Sequence, residues 1–464
     1  MSTLTPPEIT GPKTYTDRSR LLSYQSCHRK RWLEYETPTD GLVNGVRPIR
    51  LNRDLLIGSA AHKGVEGLLR IAAEEGGRRP TPEEIDGIIG EVLDGGEGSE
   101  GVVPMMKTHG LSLGENEDAT FVYHETIAMI EATIRGYEKF VLPQLLERFT
   151  VVEVEQEELG LVQHDGFSVL WGARLDALLM DKDNLNLYVL SLKTAKEHGK
   201  RDEDSATHDM QGISETFVAE QRLGKWQEIL DNASNAQEIQ AMSKVHGIPY
   251  WFAHRYATGA SPNITGVKME FLLKGRKSEW PKGSGRWSYS NPLISPWKKS
   301  DGLGEPAYAW KFEFKDPYGM NHRLGKGWNR IKVWEDIGVK AWIEKLANED
   351  IQGMGPGAGI ASMYVLPMEY FRNQEHIERW KRQAVGQEKR IYAGREKMKG
   401  LIVGQIPEEV LDEFFPQFTK SCDWPVKCDF QEICFGPSQY LLNPLESGLY
   451  QIRDANHKVE EEIN

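Results

Sequence analysis

Asp176, Ser191 and Lys193 stand in two apolar stretches, "FSVLWGARLDALLM" and "LNLYVLSLKT". Both read as strands: aliphatic, β-branched and aromatic residues fill them and turn residues bound them. The turn "DKDN" at 181–184 joins them as a hairpin. With its centre near Asn184, Asp176 falls opposite Ser191 or Lys193, which share a face because strand side chains repeat every two residues. One face then carries an acid, a hydroxyl and an amine, and Leu175, Leu190 and Leu192 point the other way. A slip of one register would undo this. An arbitrary Asp and Lys so placed make a solvent-exposed ion pair. Here the lysine ends a very apolar strand, where a charge is costly unless used. Acid-x-Lys at a strand end is the pattern of metal-dependent phosphodiester hydrolysis, and in this chain Ser191 holds the acid's place.

A second set of reactive residues lies near the other end. Cys422, Cys428 and Cys434 follow one another at x5, x5 spacing in "CDWPVKCDFQEICFG". Thiolates gathered in this way bind zinc or an iron–sulfur cluster. The chain's one other cysteine, Cys27, is the available fourth ligand, so the group would tie the N-terminal helix to the C-terminal loop. Scattered buried thiols are the plain alternative. A 4Fe–4S cluster is the expectation, with zinc as the alternative; zinc sites more often use closer Cys pairs.

The elements that must position these residues follow from pattern. With 464 residues the chain has core enough for two or three domains or one elaborated domain. A hydrophobic share of 39% and a charged share of 27% fit a soluble globular protein. No apolar run approaches the ~20 residues of a membrane span, and the first residues lack a signal-peptide core. A cytoplasmic protein of a bacterial or phage-infected cell, with no membrane partner, is expected. The net charge of −13 does not advertise a nucleic-acid binder, yet binding needs only a local basic surface.

"TYTDRSRLLSYQSCHRKRWLEYE" reads as a helix with Leu21, Leu22, Tyr24 and Cys27 near one face. "LLIGSAAHKGVEGLLRIAAEE" reads as another, opening near Gly58, and Thr81 with Glu84 makes a capping box for a third. A long amphipathic helix follows from about 117 to 149, kinked near Pro143. Then comes a three-strand meander, with a hairpin signal "HDG" at 164–166, a helix at about 209–231 and a strand in "TGVKMEFLLKG". Residues 278–335, rich in Gly, Pro, Trp, Lys and Arg, read as an insertion, in which "AYAWKFEFK" looks like a strand. The expected layout is a helical part over 1–149, a core over 150–277, the insertion over 278–335, a helical and cysteine-bearing part over 336–436, and a tail over 437–464.

"GARLDALLMDKDNLNLYVLSLKT" resembles the core of the PD-(D/E)XK nuclease superfamily in its RecB-like branch: Gly-x-x-Asp, a turn, an apolar strand, then acid-x-Lys-Thr. Gly172, Asp176, Lys193 and Thr194 match. "GSAAHKGVEGLL" resembles the upstream helical motif whose histidine, here His62, reaches the metal. "HDMQGISETF" resembles the following helix whose glutamine, here Gln211, faces the site. "SYQSCHRKRWLEY" with the cysteine trio resembles the split cysteine set of AddB-like and CRISPR-associated adaptation nucleases, although x5 twice departs from the usual spacing. The resemblance covers 15–35, 57–70, 150–225 and 420–436. It implies an α/β fold, a restriction-endonuclease-like core with a mixed sheet flanked by helices, a helical N-terminal part and a cysteine-stapled C-terminus. It also implies Mg²⁺ or Mn²⁺ held by Asp176 with His62, and Lys193 acting on the attacking water and the scissile phosphate. Such ions take oxygen ligands and clamp phosphates. A bare helix histidine more often hydrogen-bonds in the core. Gln211 could equally be a surface amide, and Glu66 a support for His62 or a solvated acid.

Three resolutions of the Ser191 gap stand. Some members of the superfamily take the glutamate from the helix after the lysine, and Glu215, four residues after Gln211, is the best candidate. Asp209 and Glu197 are weaker ones. Glu155 on the first strand could reach in. Or the protein binds DNA without cutting, as a scaffold. For DNA contact, His28 to Arg31 could meet phosphates. Trp280, Arg286, Trp287, Tyr289, Trp297, Lys298 and Lys299 could stack on or pair with unpaired bases and their phosphates. The expected activity is that of a metal-dependent DNA exonuclease in recombination, repair, phage DNA processing or CRISPR-type adaptation, acting on DNA with single-stranded regions. The chain carries no helicase phosphate-loop pattern, so any helicase or recombination partner is a separate protein.

Overall fold

Turn chemistry and strand patterning make the meander. The computed structural model describes residues 13–39, 42–43, 45–96, 99–109, 117–196, 210–259, 263–275, 277–279, 287–289, 291–294, 297–299, 307–309, 328–330, 333–349, 368–371, 374–398, 406–422 and 427–453. The principal elements are β1 (Lys13–Asp17), α1 (Arg18–Ser26), α2 (Arg53–Glu74), α3 (Glu117–Gly136), β2 (Phe149–His164), β3 (Phe167–Asp181), β4 (Leu187–Ala195), α4 (Met210–Leu230), β5 (Ile264–Leu273), β6 (Met368–Phe371) and α5 (Gln374–Met398). Asp165 and Gly166 between β2 and β3 both take positive φ, 49° and 71°, the backbone a two-residue hairpin turn needs to match strand twist. Asp181 closes the next turn by accepting the amides of Asp183 and Asn184.

The sheet is mixed and six-stranded, in the order β1–β3–β4–β5–β6, with β2 also on β3. The β2–β3, β3–β4 and β5–β6 pairs are antiparallel; β1 runs parallel to β3, and β5 parallel to β4. Helices cover both faces. On one, residues of α2, of α3 and of the helices at Leu142–Arg148 and Val339–Asn348 pack with Val151, Ala177, Leu179, Leu190 and Leu192. On the other, α4 packs against Leu175, Leu178, Leu187 and Val189, while α4 and α5 together cover Val169, Trp171 and Ala173. A mixed α/β sheet flanked by helices is thus the architecture. No helix among the described residues is long and apolar enough to cross a membrane.

Several expectations are corrected. Thr14–Asp17 is strand rather than helix, because Asp17 caps α1: its carboxylate accepts the Arg20 amide at 2.8 Å. The helix breaks at Cys27, whose backbone is extended, and resumes over His28–Arg31 and a π-helical turn at Trp32–Glu36; Leu22 is exposed, away from buried Leu21 and Tyr24. α2 opens at Arg53, earlier than Gly58, since Asn52 caps it. The kink at Pro143 is a π-helical turn over Tyr137–Val141 just before it, and the Thr81–Glu84 capping box is present. The supposed tail is built structure as far as Ile452: Tyr450–Ile452 pairs with Val46–Pro48, and Tyr450 stacks on Phe430. Leu175 does not share a face with Leu190 and Leu192 but packs under α4. The alternation slips at Asp176, where Leu175 and Leu178 face α4 and Ala177 faces α2. Opposite it, Glu155 sits at φ 47° between Val154 and Gln156, the partners of Ala177 and Leu175. The ladder lapses here with one residue unpaired on each strand; the bulge of this pair lies farther along, where Val152 is the extra residue between Val151 and Glu153.

Candidate functional site

The sheet forks at this lapse in the ladder. β3 pairs with β1 at 168–172 and with β4 at 177–180, and neither register includes 173–176. β2 occupies the other edge throughout. β1 and β4 therefore run into the fork from opposite directions, and a cleft of about 570 Å³ opens between their ends. Its lining comes from six elements: Asp17 on β1; Arg18 and Ser19 on α1; His62 on α2; Gly172, Ala173, Arg174 and Asp176 on β3; Leu192, Lys193 and Thr194 on β4; and Gln211, Ser214 and Glu215 on α4.

Two glycines allow this closeness. A Cβ on Gly172 would lie 2.4 Å from the Tyr15 hydroxyl of β1, and one on Gly58 would lie 2.8 Å from the Thr194 hydroxyl. Either would push β1 off β3 or α2 off the end of β4.

The structure brings Asp176, Lys193, His62, Gln211 and Glu215 together in this cleft. Asp176 Oδ2 accepts the Leu192 amide at 2.7 Å, which anchors one oxygen, while Oδ1 lies 3.7 Å from His62 Nδ1. Lys193 Nζ donates to Gln211 Oε1 at 2.5 Å, so the amide orients the ammonium. Glu215 is buried at 2% exposure and still faces the cleft. Ser191 does not reach the lining: it is fully buried, and its hydroxyl has no hydrogen-bond partner. Glu155 pairs with Arg174 at 3.1 Å and is hydrogen-bonded to Glu66. Burial, then the Glu155 carboxylate, pushes the Glu66 carboxyl up to about 8. Asp209 and Glu197 lie outside the described residues.

No family model matches this chain, and no curated protein matches it.

Sequence reading missed the wall formed by Asp17, Arg18 and Ser19, because β1 was taken as the start of a helix. It also passed over Glu270 on β5, which is fully buried, accepts the Tyr137 hydroxyl at 2.9 Å and lies beside Leu192 in the sheet. Burial raises both its carboxyl and the Tyr137 phenol. The only signal for it was an acid inside an apolar strand.

The four cysteines converge elsewhere. Cys27, Cys422, Cys428 and Cys434 line one cavity of about 280 Å³ with Lys30, Gln417 and Lys427, and no disulfide joins them. Backbone contacts strap the C-terminal loop to the end of α1: Ser421 Oγ donates to the Ser26 carbonyl at 2.7 Å, and the Phe418 amide points at Cys27 Sγ at 3.5 Å. Burial and then the neighbouring Cys428 push the Cys434 thiol up to about 12; Cys428 is raised by burial too. Thiols so placed stay protonated unless a cation displaces their protons. Among the described residues, no set of three or more His, Cys, Asp or Glu side chains is drawn in closely enough to hold an ion, here or in the cleft.

The basic run His28 to Arg31 is mostly internal, contrary to its reading as a phosphate contact. Arg29 and Arg31 are 1% and 0% exposed. Arg29 pairs with Asp412, and Arg31 with Glu36 and Glu388. His28 stacks on Tyr24, and Lys30 lines the cysteine cavity. In the insertion, the side chains of Trp280, Arg286, Trp287, Tyr289, Trp297, Lys298 and Lys299 lie outside the described residues, and so does most of "AYAWKFEFK" beyond Ala307–Ala309.

Proposed function

We propose that this protein is a divalent-metal-dependent DNA nuclease of the PD-(D/E)XK, RecB-like kind, with an iron–sulfur cluster in its cysteine cavity. One observation carries the reading: Asp176, Lys193, His62, Gln211 and Glu215, from four separate elements, line a single cleft. Asp176 and Glu215 offer carboxylate oxygens and His62 a ring nitrogen. Mg²⁺ suits such a set, because it keeps several waters and binds through one or two carboxylates plus substrate phosphates. When bound, Mg²⁺ or Mn²⁺ supplies positive charge to the scissile phosphate and acidity to a water. Lys193, held by Gln211, orients that water and takes up charge developing on the phosphate oxygens. Leu192 fixes the Asp176 carboxylate so that its free oxygen faces His62. Glu215 restores the negative charge that Ser191 lacks.

For the cysteines, four converging thiols fit a metal group. A cavity of about 280 Å³ has room for a 4Fe–4S cluster, with a zinc ion as the alternative occupant.

The test is degradation of labelled single- and double-stranded DNA by anaerobically purified protein with Mg²⁺ or Mn²⁺, beside Lys193→Ala and Glu215→Ala. Loss of cutting in both variants supports the roles given. Loss in Lys193→Ala alone discards Glu215 as the replacement acid. The burial of Ser191 favours one second reading, a catalytically degenerate DNA-binding scaffold. Tight DNA binding without any cutting by the parent would select it.

A further inference from the structure

Three cations line the cleft, and the chemistry above employs one. Lys193 stands on β4, while Arg18 and Arg174 stand on the β1–β3 side of the fork. We propose that Arg18, assisted by Arg174, grips the phosphate next to the scissile one, so that the site takes a polynucleotide strand and not a single nucleotide. This rests on the nuclease reading and extends it to a second phosphate.

Placement is the first argument. Arg18 follows directly on the Asp17–Gly172 register pair, so its backbone is set by the sheet. Thr16, two residues before it, donates to buried Glu388 at 2.7 Å, and Asp17 caps the helix that Arg18 opens. A cation on so fixed a base loses little freedom on gripping a ligand.

Charge is the second. Arg18, Arg174 and Lys193 face Asp17, Asp176 and Glu215 around the cleft. Asp17 is engaged away from the ligand space, with Arg20 at 3.6 Å and the Arg20 amide at 2.8 Å. The α1 N-terminus is therefore already occupied by a carboxylate, and the grip falls to side chains. A divalent cation at Asp176 and Glu215 would turn the cleft positive. Arg174 holds Glu155 in a half-exposed ion pair, 51% and 28% exposed, of the kind that exchanges partners at little cost. Guanidinium groups suit the task because their paired donors match two phosphate oxygens.

The experiment measures binding without cutting, in Ca²⁺, by anaerobically purified full-length protein. The ligands are short single-stranded oligonucleotides, each with one uncharged methylphosphonate linkage at a different position. For the parent, neutralising one particular linkage beside the cut site should weaken binding about tenfold. Arg18→Ala should weaken the all-phosphate strand by a similar factor and lose nothing more at that linkage. Its slope of log affinity against log salt should be shallower by about 0.7, the share of one single-strand phosphate contact. Arg174→Ala, at an exposed position that a fold tolerates, should show a smaller loss at the same linkage. Thermal melts of both variants separate a lost grip from a lost fold. Parent-like binding by folded Arg18→Ala, or losses that add in full at every linkage, would overturn the grip and leave the nuclease reading standing. A parent that binds no DNA would remove both.

Discussion

The cleft takes its side chains from β1, α1, α2, β3, β4 and α4, elements of the sheet and its flanking helices with apolar undersides. The cysteine cavity takes three of its four thiols from residues 422–434, where the described backbone is single helical turns at Thr419–Ser421 and Gln431–Cys434. In the cleft, polar groups answer one another: Lys193 with Gln211, Asp176 with the Leu192 amide. In the cavity, the thiols raise each other's proton affinity. On the proposed reading, the contrast separates a site whose geometry the fold supplies from one whose geometry the proposed cluster would complete.

Removal of the bound group should give the largest effect. Cys428→Ser or Cys434→Ser should lose iron and visible absorbance and lower Tm by at least about 10 °C, because metal binding to such a loop is itself folding energy. An unchanged Tm with iron absent would break the comparison. Lys193→Ala should do the reverse. Its kcat on DNA should fall by about 10²–10⁴-fold, while Tm stays within about 2 °C, as steady-state kinetics and calorimetry would show.

The buried ion network between the two pockets tests whether they are held by the same frame. Glu36 is fully buried and is hydrogen-bonded to Arg31 and Arg395, both at 2.8 Å. Burial alone would raise its carboxyl; Arg395 and Arg31 overrule it and hold it well below the usual value of 4.5. Its contribution is therefore present above pH 4.5 and lost as pH falls below that value toward the folded-state pKa. Glu36→Ala should cost about 3–5 kcal/mol at pH 7 by denaturant titration, and Glu36→Gln should flatten the acid limb of the stability curve.

The smallest effect belongs to Glu66. Its carboxyl titrates near 8 in the folded chain against an ordinary 4.5, so the folded state binds the extra proton between these values and loses stability as pH rises through them. Glu66→Gln should raise Tm by about 2–4 °C at pH 8 and hardly at pH 5. An equal gain at both would show that Glu66 and Glu155 do not share a proton.

Elements with a strong local pattern were readable in sequence: the meander, its two turns, the Thr81–Glu84 box and the helix over 210–230. So was the gathering of Asp176 and Lys193, two residues on one hairpin. β1 was not, because five residues carry no period, and its partner on β3 lies about 155 positions away in a parallel pairing that no turn announces. The face of Leu175 is not legible in its own strand, since the irregularity depends on the partner strand, where Glu155 takes a positive φ. Arg29 and Arg31 look solvated in sequence; their partners, Asp412, Glu36 and Glu388, come mostly from the far end of the chain. Long-range pairing, not composition, decided each of these.

α1 has nine residues, so it is about 14 Å long. Arg18 and Ser19 at one end border the cleft; Ser26 and Cys27 at the other border the sulfur pocket. A helix of that length is a short, rigid spacer, so the sheet that fixes Arg18 also fixes where Cys27 stands. The cysteine pocket and the mouth of the cleft are therefore held at a fixed separation, one short helix apart.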